Sequence, residues 1–159
     1  MTTPASETGT RSCITDNEDQ VVLTSIDRPR RPLKVFLVED SQLMRERLSE
    51  EIASTRETEF VGYAETESEA VEKLSQLDCD AIVLDINLER GSGFTVLKYI
   101  RTNRTHQPQV IVFTNYAYPY YRRLTMELGA NFFLDKATEF NRLLEIIGGL
   151  PAADDAVPT

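Results

Sequence analysis

Apolar residues in this 159-residue chain come in short runs separated by longer amphipathic stretches. The first run, LKVFLV from Leu33, is β-branched and aromatic, the make-up of a strand buried on both faces. From about Gln42 to Ser54, Met44, Leu48 and Ile52 recur at four-residue spacing, with Arg45, Glu46, Arg47 and Glu50 on the remaining faces. That is the pattern of a helix covering a sheet. The alternation then repeats: strand EFVGYAE, helix from Glu67 to Leu77, strand DAIVLD, helix from Phe94 to about Arg104, strand QVIVFT, helix from Pro119 to Leu128, strand NFFLD, and a last helix ending at Ile147. Five strands alternating with five helices predict an α/β fold, a doubly wound five-stranded parallel sheet, because right-handed crossovers put helices on both faces and bury the strands between them. The common five-stranded solution has strand order 2-1-3-4-5. Local punctuation agrees: Thr66-Glu67-Ser68-Glu69 has the spacing of a capping box, Pro119 suits a first helical turn, and Gly129 suits a C-terminal cap.

Residues 1–32 lack this patterning. They are rich in Thr, Ser, Asp and Glu, close on Arg28-Pro29-Arg30-Arg31-Pro32, and read as a flexible tail before a domain at 33–148. The one apolar patch there, Val21, Val22, Leu23 and Ile26, reads as linker, partner contact or added strand. Residues 149–159 read as a short C-terminal tail. The length suits a single core. A net charge of -9 opposes a phosphate backbone, and outside Arg28 to Arg31 no basic run offsets it, which argues against direct nucleic-acid binding. The apolar runs fall far short of the roughly 20 residues needed to cross a bilayer, so no membrane insertion is expected. Cys13 and Cys79 make no metal-ligand pattern and the opening MTTPASETGT has no signal-peptide character, so a cytoplasmic location is expected.

In an open parallel sheet, ligands bind beyond the carboxyl ends of the strands. The first strand would deliver Glu39 and Asp40 there, and the third Asp85, followed by Ile86, Asn87 and a flexible turn at Gly91-Ser92-Gly93. The fourth would deliver Thr114, the fifth Asp135 and Lys136. Carboxylates converging on one crevice repel one another unless a cation neutralises them. Hard oxygen donors suit Mg2+ and do not suit zinc. Metal and lysine together make a site receptive to phosphate, and the Thr114 hydroxyl can donate to a phosphate oxygen. If phosphate transfers to the protein, the nucleophile is the carboxylate that faces both metal and lysine, and Asp85 on the central strand fits best.

The set Glu39-Asp40, Asp85 after a hydrophobic strand, Thr114 and Lys136, with LDINLERGSGFTVLKYIR around the acceptor, resembles the receiver domains of two-component response regulators, whose fold is flavodoxin-like (CheY-like). The resemblance covers about residues 33 to 148. It implies phosphorylation of Asp85 from the phosphohistidine of a histidine kinase or histidine phosphotransfer protein, with Mg2+ held by Glu39 or Asp40, Asp85 and the backbone carbonyl of Asn87. It implies that Thr114 and Lys136 grip the phosphoryl group and that Phe133 is the aromatic switch that turns inward with Thr114. Asn87 and Tyr116, two positions beyond Asp85 and Thr114, would tune the lifetime of the phosphate. The face made by the fourth helix, fifth strand and fifth helix would then meet a downstream protein whose identity the sequence does not give. On this resemblance the chain is a phosphoacceptor signalling protein and not an enzyme, able to phosphorylate itself from a donor with Mg2+ and to lose the phosphate again. With only about eleven residues after the last helix, no output domain is expected. The chain departs from the family where receivers follow the lysine with a cis proline, because Ala137 follows Lys136. A non-proline cis bond costs about 2.5 to 4 kcal/mol, so the loop is expected to be trans or strained. Asn115 and Tyr116 also stand where smaller or charged residues are frequent.

Two other readings share this architecture. One is a binding module that keeps the fold but signals without phosphorylation. The other is a flavodoxin-like cofactor carrier or small phosphatase; the first needs a hydroxyl and Gly-rich loop after strand one to cradle phosphate, which Glu39-Asp40 would repel, and the second needs an Asp-x-Asp pair that the first strand lacks. Tyr116, Tyr118, Tyr120 and Tyr121 around Pro119 read equally as partner anchors or as packing for the fourth helix. His106, alone in a polar loop, reads as exposed and not as a phosphate donor.

Overall fold

The computed structural model describes residues 30–152. Ten elements alternate along it: β1 (Leu33–Val38), α1 (Gln42–Ala53), β2 (Thr58–Ala64), α2 (Glu67–Leu74), β3 (Ala81–Leu84), α3 (Gly93–Asn103), β4 (Gln109–Thr114), α4 (Pro119–Glu127), β5 (Phe132–Asp135) and α5 (Phe140–Gly149). The strands pair in parallel in the order β2-β1-β3-β4-β5, as the alternation of the sequence predicts.

Period-two alternation along the buried strands sorts side chains to two cores. Leu33, Val35 and Leu37 of β1 face Leu48 and Ile52 of α1 and Leu143 and Ile147 of α5. Phe36 and Val38 face the other way, into a cluster with Ala70 and Leu74 of α2 and Val96, Leu97 and Ile100 of α3. Each helix starts where the chain supplies a cap or a stiff first residue. Ser41 accepts from the Met44 amide and Ser92 from that of Phe94. At Thr66 the hydroxyl accepts from the Glu69 amide, while the Glu69 carboxylate reaches one residue further back than a standard capping box, to the amide of Glu65. Pro119 opens α4, and Gly129, at φ +102, terminates it in a conformation that suits glycine.

Two boundaries differ from the periodicity. α2 stops at Leu74 although Leu77 continues the apolar spacing, because the Arg104 guanidinium takes the carbonyls of Leu74 and Leu77 and turns the chain out of the helix. The Gly91-Ser92-Gly93 turn is not a slack connection: Gly93 is the buried first residue of α3 and its amide donates to the Ile86 carbonyl at 3.1 Å. Ahead of β1, Arg31 forks onto Asp80 at 2.7 and 2.9 Å. The apolar patch Val21, Val22, Leu23 and Ile26 and most of the two terminal segments lie outside the described residues. Past α5, Ala152 is buried. His106 is exposed. No helix among the described residues is long and apolar enough to cross a membrane.

Burial has a chemical consequence at Cys79. Desolvation, with smaller additions from Asp80 and Asp78 against the opposing charge of Arg104, pushes the thiol up to about 11. The thiolate is the reactive form. In a Cys13→Ser protein, alkylation of native Cys79 at pH 8 should run about 100-fold slower than that of a free thiol, and denaturant should restore the ordinary rate. A native thiol that reacts at the free rate would contradict this burial.

Candidate functional site

The ends of β1, β3, β4 and β5 form one crevice because parallel strands in register all terminate on the same side of the sheet. Glu39 and Asp40 follow β1, Asp85 follows β3, Thr114 ends β4 and Lys136 follows β5. Carboxylate oxygens of Glu39, Asp40 and Asp85 lie within 4.8 Å of one another.

Lys136 reaches across this acidic group. Its Nζ lies 2.6 Å from Oε2 of Glu39 and 2.7 Å from Oδ2 of Asp85, and all three side chains are at most 7% exposed. The remaining oxygens are held by backbone: the Ser41 amide donates to Glu39 Oε1 at 3.0 Å, and the Asn87 amide to Asp85 Oδ1 at 3.0 Å. Asp40 is only half-buried and its Oδ2 accepts from the Glu89 amide at 2.7 Å. Two buried carboxylates against one ammonium leave a unit of negative charge, and Asp40 adds a second. The donor set is three hard carboxylates in partial deficit of positive charge, which fits a divalent cation of the Mg2+ type.

The titration behaviour follows from this geometry. Burial pushes the Glu39 carboxyl above its ordinary value, although the hydrogen bond and charge of Lys136 and the Ser41 amide pull the other way. For Lys136 burial alone would lower the value, but the charges and hydrogen bonds of Asp85 and Glu39 together outweigh it and hold the ammonium above its ordinary range. The lysine is therefore a fixed positive charge at neutral pH.

Thr114 is fully buried, and its Oγ1 accepts from the Tyr116 amide at 3.2 Å, which leaves the hydroxyl proton free to donate. Asn87 is exposed at the mouth of the crevice. Tyr116 is 43% exposed, its ring 6.3 Å from that of Tyr118. Tyr121 joins Tyr118, Tyr120 and Phe94 in further ring contacts, so this residue packs α4 against α3 while Tyr116, Tyr118 and Tyr120 stay exposed. Phe133 points inward at 4% exposure, with the Arg122 guanidinium 4.9 Å from its ring centroid. The Lys136–Ala137 bond is trans, since no cis peptide occurs among the described residues.

Three supporting residues were not singled out by the pattern of the sequence. The Arg45 guanidinium donates to the carbonyls of both Glu39 and Asp40, at 3.0 and 2.9 Å, and pairs with Glu65 at 2.9 Å. Glu139 accepts from the Asp135 amide at 2.8 Å, and Asp135 does not join the acidic group but accepts from the Ala137 amide at 2.8 Å. Glu67 accepts from the Ser92 amide at 2.7 Å and fastens the turn before α3. An Arg one turn into α1 and a carboxylate four residues after Asp135 are the signals that could have pointed to the first two.

A family model described as response regulator receiver domain matches residues 35–148. The chain is 30% identical over 115 residues to the sensory transduction protein LytT of Bacillus cereus, a match covering 72% of this chain and 46% of that one. It is 39% identical over 72 residues to protein-glutamate methylesterase/protein-glutamine glutaminase 2 of Carboxydothermus hydrogenoformans, covering 45% and 20%. The chain thus spans less than half the length of these curated relatives. Among solved structures it is similar to the response regulator domain of Thermotoga maritima CheB, with a TM-score of 0.67 and 28% identity over 74% of this chain and 94% of that one. The phosphorylated cyanobacterial phytochrome response regulator RcpA gives a TM-score of 0.62 at 27% identity, over 74% and 90%.

Proposed function

We propose, for a chain that belongs to the response regulator receiver family of two-component signalling, that Asp85 is its phosphoacceptor and that phosphorylation is read by a protein partner. The observation that carries this reading is the buried Asp85 carboxylate, with one oxygen on the Lys136 ammonium and its group within 4.8 Å of the Glu39 and Asp40 oxygens. A carboxylate so placed has its charge partly neutralised and its direction fixed, the two contributions a protein makes to phosphoryl transfer.

In the proposed reaction an Asp85 oxygen attacks phosphorus, the P–N bond of a donor phosphohistidine breaks, and the imidazole leaves and is reprotonated. Lys136 stays on the phosphoryl oxygens that Asp85 gains, and the Thr114 hydroxyl donates to another. Glu39, Asp40, Asp85 and the Asn87 carbonyl would hold Mg2+, which when bound supplies charge neutralisation for the transferring group. Inward Phe133 and Thr114 are the proposed switch, and Asn87 and Tyr116, two positions beyond Asp85 and Thr114, are proposed to tune the lifetime of the phosphate. The proposed donor is a histidine kinase or histidine phosphotransfer protein, and the receiver boundaries proposed are 33–148, in the cytoplasm.

The test is intact mass after incubation with Mg2+ and a small acyl phosphate. The expected result is a gain of one phosphoryl group that disappears with a chelator and in Asp85→Asn. No gain in the native protein would leave phosphorylation-independent binding as the better reading.

A further inference from the structure

The loop that aims Lys136 has a construction of its own. Lys136 donates its amide to the Thr114 carbonyl at 3.0 Å, which fixes where β5 ends. Immediately after it, the Ala137 amide donates to Asp135 Oδ1 at 2.8 Å, and the Thr138 and Glu139 amides donate to the Asp135 carbonyl at 3.3 and 2.9 Å. From the other side Glu139 Oε2 accepts from the Asp135 amide at 2.8 Å. The five residues 135–139 therefore close on themselves, with Lys136 at the second position and its side chain pointing into the acidic crevice. Glu139 precedes α5 as its N-cap but its side chain caps no backbone amide of that helix, so one carboxylate oxygen is given to the loop. Its other oxygen pairs with Arg142 at 3.2 Å.

We propose that Asp135 and Glu139 are positioning residues that hold Lys136 over Asp85 through this closed turn, and that the turn requires a residue with an amide hydrogen at 137. The inference rests on the reading of Asp85 as phosphoacceptor for its catalytic consequence, and on the geometry alone for the placement of the lysine. Proline at 137 would remove the donor to Asp135 and leave that carboxylate oxygen without its partner. Alanine at 137 is thus part of the device and not a neutral loss of the proline that receivers usually carry. Neither carboxylate touches the acidic group, so both act through Lys136.

Two measurements test this, on the full chain and with thermal unfolding as the folding control. The first is labelling of Lys136 by an amine-reactive ester, followed by peptide mass. It does not depend on phosphorylation. Lys136 should label about tenfold faster in Asp135→Ala, Glu139→Ala and Ala137→Pro than in the parent, since a buried ion-paired ammonium is released. The second is the phosphorylation rate against the concentration of a small acyl phosphate. The same variants should lose about tenfold in the saturating rate with little change in half-saturation, as expected for misplacement of a group acting in the transition state. Asp135→Asn and Glu139→Gln keep an acceptor oxygen without the charge and should stay within about twofold of the parent. Asp135→Ala combined with Ala137→Pro should cost no more than either alone, because both remove one bond.

Parent-like labelling in the alanine and proline variants would overturn the proposal. So would Asn and Gln variants as impaired as the alanines, which would make the effect one of charge. If the native protein takes up no phosphate, the reading of Asp85 fails while the labelling series still decides the positioning role.

Discussion

Lys136→Met should take up no measurable phosphate and should unfold about 10 °C or more below the parent in the absence of divalent cation. Two effects combine. The ammonium at 2.6 and 2.7 Å from Glu39 and Asp85 is the only cation that the described structure places against these buried carboxylates. Removing one partner of a buried ion pair typically costs about 3–5 kcal/mol, because the charge left behind has lost both water and partner. For a domain of this size that is about 10 °C or more in the unfolding midpoint. In the proposed reaction the same ammonium bridges to the incoming phosphoryl group, and an isosteric apolar chain supplies nothing in its place.

The pH dependence separates this loss from ordinary misfolding. Glu39 is already held above its ordinary value in the parent, chiefly by burial and against the pull of Lys136. A carboxyl whose folded value lies above its unfolded value contributes stability that is present at low pH and is lost as pH rises through the folded value. Without Lys136 the pull vanishes and the raised value moves further up, so the variant should recover stability relative to the parent on acidification from neutral pH towards the ordinary carboxylate range. Denaturant melts at neutral and mildly acidic pH would show the gap narrowing. A gap of constant size would mean that the carboxylates are not the source of the loss. Addition of Mg2+ at neutral pH should also narrow the gap, since a cation held by the acidic group offsets the missing ammonium.

How much of this was legible in the chain follows from the kind of information each feature needs. Short apolar runs alternating with four-residue spacing reveal the strands, the helices and the order of elements. Once the strands are placed, Glu39, Asp40, Asp85, Thr114 and Lys136 fall at their carboxyl ends because position in a strand is a local property. Phe133 is different: in a four-residue strand beside Phe132 the alternation cannot say which ring turns inward, and the packing of α4 decides it. The end of α2 depended on Arg104, which lies 30 residues away from Leu74. Arg45, which clamps the carbonyls of Glu39 and Asp40, looks in sequence like any charged residue on the polar face of a helix. The turn at 135–139 needed backbone geometry that composition does not encode, although an Asp followed at four residues by Glu is its trace.

Gly93→Ala should impair the site from a position that bears no chemistry. A Cβ there would run into the carbonyl oxygen of Asp85 and the Cα of Ile86, both backbone, so no side chain can rotate out of the way. The closeness arises because the chain leaving β3 folds straight back: Asn87 bridges to Ser92, and the Gly93 amide donates to the Ile86 carbonyl, which presses the start of α3 onto the peptide of the proposed acceptor. Relief requires moving either the helix or Asp85. Forcing a methyl into a packed interior costs about 1–3 kcal/mol. A displacement of about 1 Å at a reacting group can cost about 100-fold in rate. Gly148→Ala is the contrast, since a Cβ at that position meets nothing within 4 Å and α5 continues through it. There the substitution should be neutral or stabilise by about 0.5–1 kcal/mol, from the entropy that glycine loses in a helix. Urea melts of the two variants, paired with phosphoryl uptake from a small acyl phosphate, should show loss of both stability and uptake for Gly93→Ala and of neither for Gly148→Ala. Parent-like uptake in Gly93→Ala would mean that the acceptor tolerates displacement, and would remove the argument that the turn after β3 sets where Asp85 stands.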